Sequence, residues 1–133
     1  MLEELRDRMA AYLSQHNVCV ISTRGTAGAW AVPAVYRSRD LVMDCLLPRW
    51  ADAGYHIEQD PQVLLIICDS SLRWMQYRGT AHFIPAPNWV GLQSVMTAGG
   101  LTDDRYVAIR VKPERIDLVD ESKEWGARET LDF

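Results

Sequence analysis

Apolar residues fall at Leu2, Leu5, Met9, Tyr12 and Leu13, with Glu3, Glu4, Asp7 and Arg8 on the faces between them. That spacing predicts an amphipathic surface helix ending near Gln15 to Asn17, its acidic residues in the first turns where the helix dipole favours them. From Val18 the period shortens. Residues 18–23, 30–37 and 41–46 read as strands, joined by the glycine-bearing turn RGTAGA and the polar turn Ser38-Arg39-Asp40. Pro48 breaks this pattern. Residues 49–59 then predict a short helix that stops at Asp60-Pro61, since proline is not accommodated in a helix interior. Residues 63–68 are apolar throughout, which predicts a central strand buried on both faces. Residues 72–84 alternate, with Gly79 where a bend or bulge fits. Pro85 and Pro87 introduce a second short helix, roughly residues 88–97, before the turn Ala98-Gly99-Gly100. Residues 106–112 and 115–119 form the last strands.

The pattern therefore gives six to seven strands, an N-terminal helix and two short helices. Hairpin-like connections favour a mainly β, mostly antiparallel barrel over a doubly wound sheet. No repeat, low-complexity run or linker interrupts the chain, so residues 1–133 are expected to form a single domain.

Composition narrows the function classes. Apolar residues make up 48% and charged residues 24%, as in a folded globular chain rather than a disordered one. The net charge of -4 argues against a general nucleic-acid partner. From Lys112 onward four basic residues face seven acidic ones, so the acid excess is concentrated at the end of the chain. Cys19, Cys45 and Cys68 are odd in number and widely spaced, which predicts buried free thiols rather than a disulfide framework. The charged N-terminus is unlike a secretory signal, and the longest apolar run is too short to span a bilayer. A cytoplasmic protein with no membrane partner is the expectation.

Most catalytic signatures are missing: no GxGxxG, Walker loop, HExxH or GxSxG occurs. His16, His56 and His82 lack the spacing of a metal site. His56 beside Glu58 reads as an exposed surface pair, and His82 as a structural strand residue. Ser22, Ser70, Ser71 and Ser94 occupy ordinary turn or strand settings, while Asp103-Asp104 and Asp120-Glu121 read as solvated turns. The positive signal is aromatic. Trp30, Trp50, Trp74 and Trp89 stand near Arg24, Arg37, Arg39, Arg49, Arg73 and Arg78 in a chain with five Trp and five Tyr. Stacking rings and guanidinium forks suit a flat anionic ligand; filling a core and a dimer interface uses the same rings.

Five segments in order carry a resemblance: NVCVIST after the first helix, GAWAVPAVY, EQDPQVLLII, WMQYRGTAHFI and YVAIRVKPERIDLVDESKEWG. Together they resemble the pyridoxamine 5'-phosphate oxidase-like, FMN-binding split-barrel family along nearly the whole chain. The resemblance implies a split β-barrel homodimer with two FMN sites between the subunits. It places Ser22 and Thr23 near the ring or ribityl chain, Val35 and Tyr36 along the next strand, and Arg49 and Trp50 near the phosphate. Trp74 and Gln76 would approach the ring from the long strand, Gln76 donating a hydrogen bond to it. Trp125 would come from the partner or seal the barrel end.

The chain departs from the family pattern in one place. Where many flavin-binding members carry a basic Ser/Thr-x-Lys pattern, this helix has Ala53 beside Asp52, and a carboxylate repels phosphate. Arg49 or Arg37 would then have to take the phosphate. The chain also lacks the long C-terminal extension of a true pyridoxamine phosphate oxidase. The expectation is a small FMN-dependent oxidoreductase passing electrons or hydride to an unidentified small acceptor. Its catalytic residues are unknown, with Tyr36, Tyr77 and His82 the available candidates. The alternatives are a binding or regulatory dimer with weakened or lost cofactor, a deazaflavin-dependent reductase, or a haem-handling protein using His82 or His56.

Overall fold

The computed structural model describes residues 2–26, 28–88, 92 and 105–133. Helix α1 (Leu2–Ser14) is followed by strands β1 (Val18–Gly25), β2 (Gly28–Arg39) and β3 (Val42–Pro48). Helix α2 (Ala53–Gln59) precedes β4 (Gln62–Ser70), β5 (Arg73–Phe83), β6 (Tyr106–Asp120) and β7 (Arg128–Asp132). The strand order is β3-β2-β1-β4-β5-β6-β7, and β3 also pairs with β6. That extra pairing closes six antiparallel strands into a barrel, with β7 attached to the far half of β6. The expected fold class is what forms.

Alternation decides which side chains fill the barrel. Cys19 and Ile21 from β1, Ala34 and Tyr36 from β2, and Met43, Cys45 and Leu47 from β3 turn inward. They meet Val63, Leu65 and Ile67 from β4, Met75 and Tyr77 from β5, and Ile109, Val111, Ile116 and Leu118 from β6. Helix α1 lays Leu5, Met9, Tyr12 and Leu13 on this core. Two phenols pin it there: Tyr36 donates to the Leu13 carbonyl at 2.8 Å, and Tyr12 donates to the Ile67 carbonyl at 3.1 Å. Burial, reinforced by the charge of Asp69, pushes the Tyr12 phenol up to about 12.

Four differences from the sequence reading have physical causes. First, β4 is not buried on both faces: Val63, Leu65 and Ile67 are buried, Leu64 and Ile66 half-buried, and Cys68 exposed. The barrel has one interior, so a uniformly apolar strand still shows its alternate residues to the outside. Second, the two closing strands are one long strand, β6, bent where the pairing slips between Arg78 and Gly79. Pro113 sits opposite Gly79 at that slip, a bulge position where a missing N–H is tolerated. A Cβ on Gly79 would stand 2.3 Å from the Lys112 carbonyl oxygen, so the close approach requires glycine. Third, β7 was not foreseen; Leu131 alone packs from it against the core. Fourth, the helix expected over residues 49–59 begins only at Ala53, after a turn in which the Ala51 N–H donates to the Pro48 carbonyl. The helix expected over 88–97, the turn at 98–100, Ser94, Trp89 and Asp103-Asp104 fall outside the described residues, save Asn88 and Leu92. Leu92 packs with Leu46 and Ala108 on the outside of the barrel.

Candidate functional site

Strand β2 pairs with β1 from Gly28 to Val35, and with β3 only from Val35 to Arg39. Beyond Leu46, β3 continues along β6 to Pro48 and the chain turns into residues 49–52. Among the described residues the backbone of β2 before Val35 is therefore left with a free edge towards β3, and the barrel is split there. The split is a groove of about 410 Å³ lined by Trp30, Ala31, Val32, Pro33, Trp50, Ala51, Asp52 and Ala53. Its two indoles are unusually open: Trp30 is 51% and Trp50 81% exposed. Asp52 is the one ionisable side chain in that lining, and Arg49 lies on the far side of Trp50 in an adjoining groove. Apolar walls with two rings suit a flat conjugated ligand.

Behind Trp30 sits a buried polar pair. His56 and Thr23 are almost fully covered, and His56 Nδ1 shares a 3.0 Å hydrogen bond with Thr23 Oγ1. The His56 ring lies 6.3 Å from the Trp30 ring, and a Cβ on Gly25 would be 2.4 Å from its Cδ2. His56 is thus wedged under the groove wall rather than exposed beside Glu58 as expected. The spacing of Ala53, His56 and Ile57, all buried, carried that signal: His56 belongs to the apolar face of α2.

The outer barrel face holds a second feature. Directly paired residues share a face, so Pro33, Val20 and Ile66 form one row across β2, β1 and β4, and Ala31, Ser22 and Leu64 form the next. Val18 and Val20 are 52% and 42% exposed. Along β5 the same face continues as Trp74, Gln76 and Arg78, opposite Cys68, Ile66 and Leu64.

Family-model comparison gives no match, and no curated protein matches the sequence. Solved structures do match the fold. General stress protein 26 from Bacillus anthracis str. Sterne superposes with a TM-score of 0.76 at 16% identity, covering 98% of this chain and 99% of that one. A Clostridium acetobutylicum protein related to general stress protein 26 of B. subtilis, named to the pyridoxinephosphate oxidase family, gives 0.75 at 12% identity over 98% and 96%. A heme binding protein from Mycobacterium smegmatis gives 0.70 at 17% identity, over 96% of this chain but 56% of that one. The fold is the split barrel of the pyridoxamine 5'-phosphate oxidase-like proteins.

On this split barrel the sequence-derived site residues divide into three groups. Ser22, Val35, Trp74 and Gln76 lie on the outer face, Val35 packed beside the Leu46 cluster. Arg49 and Trp50 lie at the split, and Trp50 alone of the eight lines the groove. Thr23 and Tyr36 turn inward, their hydroxyls engaged by His56 and the Leu13 carbonyl. A ligand outside the barrel would meet those two through their backbone. The groove residues Ala31, Val32, Pro33 and Ala51 were missed because nothing in a small apolar side chain marks a free strand edge. Of the other candidates, Tyr77 is buried, donating to the Leu41 and Val111 carbonyls, whereas His82 is exposed on the outer face opposite Arg110. Among the described residues, no His/Cys/Asp/Glu cluster could hold a metal, and no helix is long and apolar enough to cross a membrane. All three cysteines are free; Cys19 and Cys45 are buried, but Cys68 is exposed, against expectation.

Proposed function

We propose that the protein is a small FMN-binding flavoprotein that works as a homodimer, with the isoalloxazine ring seated in the groove at the split. The observation that carries this reading is the free edge of β2 walled by Trp30 and Trp50, on a fold shared with proteins named to the pyridoxinephosphate oxidase family. The ring fits the apolar lining. The phosphate fits less well, because Asp52 stands in the groove and Arg49 is the neighbouring cation. A flavin affinity weaker than that of a site with several cations follows. When bound, FMN supplies the electron or hydride chemistry; the chain contributes ring placement and polar tuning for a small acceptor. The apolar rows on β2, β1 and β4 supply the face for a second copy, which would bring Gln76, Trp74 and the exposed turn residue Trp125 of each chain towards the opposite groove.

Purified protein with absorption near 450 nm, from a chromophore released by denaturation and identified as FMN, is the expected result. Titration of the apo-protein with FMN should show at least a tenfold weaker Kd for Trp50→Ala, which removes one wall of the groove. A colourless protein that binds no added FMN would sink the reading in favour of a binding or regulatory dimer. A Soret band would move it to haem, the ligand named for the Mycobacterium smegmatis structure, with His82 as the accessible histidine.

A further inference from the structure

The outer face of β5, β6 and β7 carries a separate concavity of about 150 Å³, lined by Gln76, Arg78, Arg115, Asp117 and Arg128. Arg78 and Arg115 are direct cross-strand neighbours on one face, an arrangement of like charges that destabilises a sheet unless something compensates it. Arg115 is committed: its Nε and Nη2 donate to the Asp117 carboxylate at 3.2 and 3.3 Å, and Asp132 lies opposite it on β7. Asp117 is committed as well. Burial would raise its pKa, but hydrogen bonds from Thr130 and Arg115 hold it below the ordinary carboxylate range. Glu114 accepts hydrogen bonds from Thr80 and Gln62, and the charge of Arg78 also stabilises its carboxylate. Arg78 and Arg128 line the same pocket with Gln76; Glu114 acts on Arg78 and Asp117 on Arg128 through space, and neither arginine makes an ion pair within 4 Å among the described residues. The slip in pairing at Arg78 and Gly79 lies beside this pocket, where bulges characteristically re-aim a side chain.

We infer that this pocket binds a small tetrahedral oxyanion of the phosphate type, held by the forks of Arg78 and Arg128 with the Gln76 amide as a further donor. Its volume is enough for one phosphate group. Planar guanidinium groups bind such anions with paired charge-assisted hydrogen bonds, and an anion between Arg78 and Arg115 removes the cross-strand repulsion. The inference does not rest on flavin binding: of the lining residues only Gln76 is shared with the proposed flavin contacts, so the arginines carry the test.

The test uses the full chain and inorganic phosphate as the probe, titrated calorimetrically against chloride at constant ionic strength. Saturable binding at one site per chain is expected, weakened at least tenfold in the double variant Arg78→Gln, Arg128→Gln. Arg24→Gln, an exposed arginine paired with Asp60 elsewhere, should bind as the parent does. If the double variant misfolds, Arg128→Gln alone keeps the test alive with a smaller loss of about threefold. Absence of saturable binding, or equal binding by the variants, overturns the assignment. So does a double variant that alters only the monomer–dimer balance, since a carboxylate of a second copy would then be the occupant. A parallel tenfold loss of FMN affinity would overturn the site as a separate one.

Discussion

Thr23 and His56 show how one buried hydrogen bond shapes the wall of the groove at the split. The pair is almost fully covered, and neither partner has water to fall back on once the other is removed. Thr23→Val keeps the shape and deletes the hydroxyl, leaving His56 Nδ1 unsatisfied. A loss of about 1–3 kcal/mol is expected, read as a lower urea midpoint at unchanged slope. Thr23→Ser should recover most of it. If the pair matters only for folding, FMN affinity per folded molecule will be unchanged; a shift in that affinity would instead show His56 holding Trp30 in place. At this scale the sequence was partly legible. Trp30 and Trp50 announced themselves as surplus rings, and they do line the groove. His56 did not, because its neighbour Glu58 drew the eye to a local pair, whereas its partner Thr23 comes from a strand 33 positions away.

Strands are legible when one face is wet, and less so when covering is uneven. β1, β2, β3 and β5 were readable from alternation and turn chemistry within a few residues. The sequence pattern divides β6 into 106–112 and 115–119 around Pro113 and Glu114, yet Pro113 occupies a bulge where β5 supplies Gly79 opposite. β7 carries the residues Arg-Glu-Thr-Leu-Asp, with one apolar residue among five, and only pairing to β6 makes it a strand. The prediction at this scale concerns the bend. Gly79→Ala places a methyl 2.3 Å from the Lys112 carbonyl and 2.9 Å from Val111 Cγ1, so β5 and β6 must part. Overpacking of that kind costs about 1–3 kcal/mol, visible as a lower denaturant midpoint. The same variant should also disturb phosphate binding, since Arg78 is the adjacent residue; Gly54→Ala, with open space around its Cβ, is the matched control.

For the whole molecule, closure through β3 and β6 removes most sheet edges and, among the described residues, leaves an opening at β2. The fold class was legible from its hairpin pairs and the order of its motifs, although the closing pairs β1–β4 and β3–β6 join strands distant in sequence. The groove was not, because a split is an absence of pairing between residues that look ordinary in sequence. The acid excess at the chain end has also found local uses: Glu129 meets Arg8 on α1, and Asp117 meets Arg115. A largely apolar surface is left over among the described residues, running from Pro33 through Val20 to Ile66 and from Ala31 past Ser22 to Leu64. A face of this kind fits an isologous contact, in which each substitution is felt twice across the two-fold axis. Val20→Asp should therefore convert a dimer to a folded monomer, seen as a halved mass by sedimentation equilibrium with the circular dichroism spectrum retained. The exposed setting of Val20 means that the barrel itself tolerates the charge, which must be desolvated only when a second copy closes over it. If flavin needs residues from both chains, the same variant should lose FMN binding together with dimerisation. A Val20→Asp monomer that still binds FMN with parental affinity would confine the cofactor site to a single chain.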